Sequence, residues 1–91
     1  MNQEQSEIIA LQALTFIADD ETRLSWLMTE TGLAPGDLRH SGDKLEILAG
    51  VLDFLMGHED ILVDFCTDNN LEAAMPARAR QFLPGAIREE Y

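Results

Sequence analysis

Apolar positions along the chain recur at helical spacing and no segment alternates with period two, so the pattern predicts helices without strands. Breaks fall at Asp19-Asp20, Gly32 to Gly36, Ser41-Gly42-Asp43, Gly57-His58, Asn69-Asn70 and Pro84-Gly85. A first helix is expected from about Ser6 to Ala18. In it Ile8, Ile9, Leu11, Leu14, Phe16 and Ile17 cover most of the circumference, leaving Gln12, Thr15 and Asp19 as a narrow polar stripe, the pattern of a central helix. A second, about Glu21 to Thr31, gathers Leu24, Leu27 and Met28 on one face, carries acids in its first turn and stops at Gly32, which is free to adopt a left-handed backbone. Pro35 to His40 fits a short third helix with proline at its first position, where the missing N–H costs nothing. The fourth opens on the capping-box-like Asp43-Lys44-Leu45-Glu46 and runs to Gly57, with Glu46, Gly50 and Asp53 as its polar stripe. A fifth, about Glu59 to Asn69, repeats the second's pattern with Leu62, Phe65 and Cys66. A sixth occupies part of Glu72 to Leu83, where Pro76 must begin it or kink it.

The helices also repeat. Writing Ala13 to Leu33 above Val51 to Leu71, an offset of 38 without a gap, makes six of twenty-one positions identical, among them Leu14 and Leu52, Phe16 and Phe54, and Glu21 and Glu59. Gly32 pairs with Asn70 at the two expected left-handed ends, and the polar stripes superpose as Gln12 on Gly50 and Thr15 on Asp53. The expected fold is therefore all-α: a compact bundle of five to six helices arranged as two tandem helix, helix, short-helix repeats at about 7–41 and 43–83, followed by a tail at 84–91. Neither unit alone has enough partners for its apolar faces. With 91 residues the chain has room for one such domain.

Charge narrows the functions. Six Lys and Arg against seventeen Asp and Glu give a net charge of −11 on a chain that is 46% hydrophobic, an ordinary globular fraction. A field of that sign opposes approach to phosphate backbones and anionic membranes, so neither nucleic acid nor membrane is expected as a direct partner. The imbalance is uneven: three basic and fourteen acidic residues precede Leu71, and three of each follow from there, so Arg78 and Arg80 are expected to lie over the acidic body. The N-terminus carries Glu4 and Glu7 where a secretory signal needs positive charge, and Cys66 is the only cysteine. Both point to a reducing cytoplasm.

The run Ala13 to Phe16 with Asp19-Asp20, the turn Thr31 to Arg39, the core Val51 to Leu55 and the Phe65-Cys66 pair together resemble a family of short alphaproteobacterial proteins known only as a domain of unknown function. The resemblance covers about residues 10 to 83 and implies a small, all-helical cytoplasmic protein. It carries over no catalytic or binding residues. The chain departs from the pattern in extra residues around Ala73 to Pro76, before the last helix.

Residue types that carry chemistry are sparse. Met28 to Ser41 has the outline of a helix-turn-helix reader, but Pro35 to Ser41 offers only Arg39 and His40 beside Asp37, too few donors for bases and phosphates. Cys66 shares a face with Leu62 and Phe65 and reads as a buried small hydrophobe. His58 stands beside Glu59 and Asp60, yet neither it nor His40 belongs to a metal-ligand spacing, and no nucleophile–base order or phosphate-binding glycine loop occurs. No cofactor and no metal are expected, and the chain leans away from catalysis. Trp26 is the odd residue. It lies about 100° around its helix from Leu27, near Arg23 and Glu30, and either packs under the first helix or C-terminal segment, the preferred role, or anchors another chain. The acids at helix starts, Asp19-Asp20-Glu21 and Glu59-Asp60, chiefly solvate their faces. Trp26, Arg23, Glu46 and Asp53 form the candidate partner surface. The expected function is a non-enzymatic interaction or regulatory module meeting a basic protein or a second copy of itself. Its rivals are an acidic decoy that competes for a nucleic-acid-binding protein, and a small ligand-binding or enzymatic domain with a pocket between the repeats.

Overall fold

Asn2 starts the first helix four residues ahead of Ser6, because its side chain accepts a hydrogen bond from the Gln5 backbone N–H at 2.9 Å and satisfies one of the unpaired donors of the first turn. The helix therefore spans Gln3–Ala18 (α1). Asp20 does the same for Glu21–Thr31 (α2), accepting from Thr22 and Arg23 N–H at 2.8 and 3.3 Å. Leu45–Met56 (α3), Glu59–Asp68 (α4) and Met75–Arg80 (α5) follow. The computed structural model describes residues 1–34, 36 and 45–83, and among these the all-α expectation holds, with no strand. Apart from Gly36, the third helix expected at Pro35 to His40 lies outside the described residues, as do the second half of the helix-turn-helix outline to Ser41, Asp43 of the capping box and the 84–91 tail.

Two left-handed residues end the paired helices. Gly32, at φ 75°, closes α2 by returning its N–H to Met28 O at 2.9 Å. Asn70, at φ 56°, closes α4 with the double bond of a Schellman turn: Leu71 N–H to Cys66 O at 2.8 Å and Asn70 N–H to Thr67 O at 3.3 Å. Leu71 then packs half-buried against the core. The left-handed positions are 38 residues apart, and so are the ends of α1 and α3 and the starts of α2 and α4. These coincidences concern boundaries and backbone; the short helix of the first proposed repeat falls outside the described residues.

The expectation that the first helix is central is corrected. α3 holds that place: Ile47, Leu48, Ala49, Val51, Leu52, Phe54 and Leu55 are buried, and α1, α2, α4 and α5 all pack on it. Leu48, Leu52, Leu55 and Phe54 each contribute about 1.5–3 kcal/mol through burial. α1 buries a single stripe, Ser6, Ile9, Ala10, Ala13 and Ile17. Three of those five side chains are small, and of the larger residues between them Ile8 and Leu11 face solvent while Leu14 and Phe16 pack half-buried against the core. The Ser6 hydroxyl, fully enclosed, donates back to Asn2 O at 2.9 Å.

α5 resolves the ambiguity at Pro76, which sits in its first turn and begins the helix rather than kinking it. The helix packs on α1 and α3 through Pro76, Ala79 and the stem of Arg80. No described helix is long and apolar enough to cross a membrane.

Candidate functional site

Where α2 meets the α3–α4 turn, four side chains from two segments distant in sequence come together. His58 precedes α4 but makes no capping bond; its Nε2–H donates instead to Glu30 Oε2 at 2.6 Å, since an ionised carboxylate can only accept. The imidazole lies between two rings, Trp26 stacked at 6.1 Å between centroids and 18° between planes, and Phe54 tilted by 40° at 4.6 Å. Offset aromatic pairs of this kind are worth about 0.5–1.5 kcal/mol beyond area burial. The cluster joins α2 to the turn between α3 and α4. Trp26, expected beneath α1 or the C-terminal segment, is held by His58 and leaves 47% of its surface in solvent. Nothing in the sequence announced the Glu30–His58 pair, whose members are 28 positions apart.

The other members of the candidate surface serve the fold. Asp53 receives both Arg80 Nε–H and Nη2–H, at 2.8 and 3.2 Å, and Arg80 Nη1–H donates to Leu83 O at 3.3 Å. With only 10% of its side chain exposed, Arg80 carries a charge that needs this two-point partner. It lies over the acidic body as expected. Arg78 is exposed and lines a depression with Met1 and Ile8. Arg23 sets its guanidinium 4.0 Å over the Phe16 ring and its Nε 4.0 Å from Asp20. Glu46 is exposed on the first turn of α3. The structure thus spreads Trp26, Arg23, Glu46 and Asp53 over two helices, α2 and α3, and gives two of them intramolecular ionic partners.

Cys66 is buried, 4% exposed, with its thiol directed to Glu72 O at 3.7 Å, and burial raises its pKa above the usual thiol value. That environment suits a packed hydrophobe and opposes thiolate chemistry. Among the described residues no three His, Cys, Asp or Glu side chains gather as a metal site would need. His40 lies outside the described residues.

A surface not singled out by the sequence runs along the outer side of α1. Ile8 and Leu11, assigned to a central helix by pattern, are 51% and 38% exposed. They border an open depression of about 340 Å³ between α1 and the end of α4, and Ile8 also borders a second, of about 360 Å³, toward α5. A signal existed: a helix that buries one stripe of small residues cannot also hide apolar groups covering most of its circumference. A family model described as a protein of unknown function, DUF3572, matches residues 3–86. No curated protein and no solved structure matches the chain.

Proposed function

We propose that this chain, which belongs to the DUF3572 family, works as a non-enzymatic interaction module in the cytoplasm and meets its partner through the outward face of α1. One observation carries the reading: Ile8 and Leu11, one helical turn apart, stand in solvent beside two open depressions, in a domain whose other helices turn most of their large aliphatic residues inward. An exposed apolar stripe at that spacing is the usual form of a helical docking face. The surrounding acids, part of a net charge of −11, favour a basic protein and oppose nucleic acid. Trp26, half-exposed on His58, offers a second contact point, with Glu46 adding charge on α3. Arg23 and Asp53 support that surface by holding Phe16 and α5 in place.

Affinity purification of the full chain from the cells that make it tests the reading, with wild type compared against the double variant Ile8→Asp/Leu11→Asp. Both positions are solvent-exposed, so helical content should be retained by circular dichroism. At least one protein held stoichiometrically by the wild type should be lost from the variant. Identical retained proteins would refute the reading.

A further inference from the structure

The depression between α1 and the end of α4 says more about what it accepts. Ile8, Leu11 and Phe16 supply its apolar lining, and Asp19, Asp68 and Asn69 share its wall. From Ile8 to Asp19 the α1 side runs about 16 Å, three helical turns, long enough for a second helix to lie along it. Asp19 is the C-cap residue of α1 and Asp68 the last residue of α4. Both helices lack a basic residue in their last turn. Asp68 therefore stands at the negative end of a helix dipole, the end where cations belong, while Asp19 lies between the end of α1 and the N-cap of α2, where the two dipoles offset each other. Among the described residues neither pairs with a cation. Two carboxylates that meet no cation among the described residues, sharing the wall of one depression, leave a negative potential beside the exposed Ile8 and Leu11 of α1.

Resting on the reading of α1 as a docking face, we propose that the occupant of this depression is one amphipathic helix of a partner protein, its apolar stripe on Ile8 and Leu11 and its flanking Lys or Arg on Asp19 and Asp68. A second copy of the chain fits poorly, because it brings a further −11 to the same acids.

The probe is a labelled synthetic helix with Leu at helical spacing and Lys elsewhere. It is compared with a Glu-for-Lys version and with a scrambled Lys/Leu peptide that has no apolar stripe, each titrated into the full chain by fluorescence anisotropy. The striped Lys peptide should bind roughly tenfold or more tightly than either control, with affinity falling as salt rises. Ile8→Gln/Leu11→Gln should weaken it about tenfold, and Asp19→Asn/Asp68→Asn about fivefold while leaving the chain at least as heat-stable as wild type, a combination that mere damage to the fold would not give. Backbone amide shifts should move around Ile8, Leu11, Asp19 and Asp68. Equal binding of the scrambled peptide, equal binding by the Gln variants, or a dimer in sedimentation that Ile8→Gln/Leu11→Gln dissociates would each overturn the proposal. If the peptide series fails while Ile8→Asp/Leu11→Asp still loses partners in cells, the docking face stands and only its occupant's chemistry is wrong.

Discussion

Gly50 and Gly32 ask opposite things of a substitution. Gly50 lies inside α3, and a Cβ built on it meets nothing within 4 Å. Gly50→Ala should therefore raise stability by about 0.5–1 kcal/mol by removing backbone freedom from the unfolded chain. Gly32, at φ +75°, also has open space around it, but an alanine there must take the left-handed backbone and should cost about 1 kcal/mol. Urea unfolding of the two variants should shift the midpoint in opposite directions. Cys66 adds a pH dependence. Its folded pKa is raised because burial disfavours the thiolate, so its contribution to stability is complete below the unfolded thiol pKa and lost as pH climbs through the folded value. Stability should fall on the alkaline side, Cys66→Ala should remove part of that fall, and a thiol reagent should label the native protein slowly. Residue-scale features of this kind were largely legible in the sequence: a lone Cys on an apolar face and a Gly or Asn after an amphipathic run depend on local chemistry alone.

At the scale of elements, an ionic clamp, Arg80 to Asp53, ties α5 to α3. Asp53→Ala leaves a mostly buried guanidinium without its carboxylate and should cost about 1–3 kcal/mol. Hydrogen exchange should speed up in α5 more than in α3, which keeps its apolar neighbours. The end of α4 carries the contrary case. Asp68→Asn should stabilise by about 0.3–1 kcal/mol, read as a rise in Tm, by removing a carboxylate from the unfavourable end of a dipole, whereas Asp19→Asn should leave Tm nearly unchanged because the N-terminus of α2 offsets the C-terminus of α1. Helix positions were readable from periodicity and punctuation to within a few residues. The early start of α1 was missed because the apolar pattern begins at Ile8, whereas the helix begins where Asn2 offers a capping oxygen. Which helix is central was misread for a different reason: amphipathic pattern counts apolar side chains, while burial depends on how closely the backbones approach. Ser6, Ala10 and Ala13, all small, make up most of the buried stripe of α1.

For the whole molecule, the net charge of −11 acts against compaction, and screening should relieve it. The Debye length is about 8 Å at physiological ionic strength, so Tm should rise from low to moderate salt, the reverse of what a fold held by surface ion pairs would show. Scanning calorimetry across a salt series measures this directly. The sequence by itself determined the all-helical class, the approximate helix boundaries, the left-handed ends at Gly32 and Asn70, the burial of Cys66 and the acidic body under Arg80. Each follows from neighbours a few residues apart or from a sum over the chain. Only the tertiary structure decided which helix the others surround, that Trp26 rests on His58 and Glu30 bonds it, that Arg80 chooses Asp53, and that Ile8 and Leu11 face outward beside Asp19 and Asp68. Those outcomes depend on which helices approach one another, and how closely, a property of the packed chain that no local pattern of apolar and polar residues encodes.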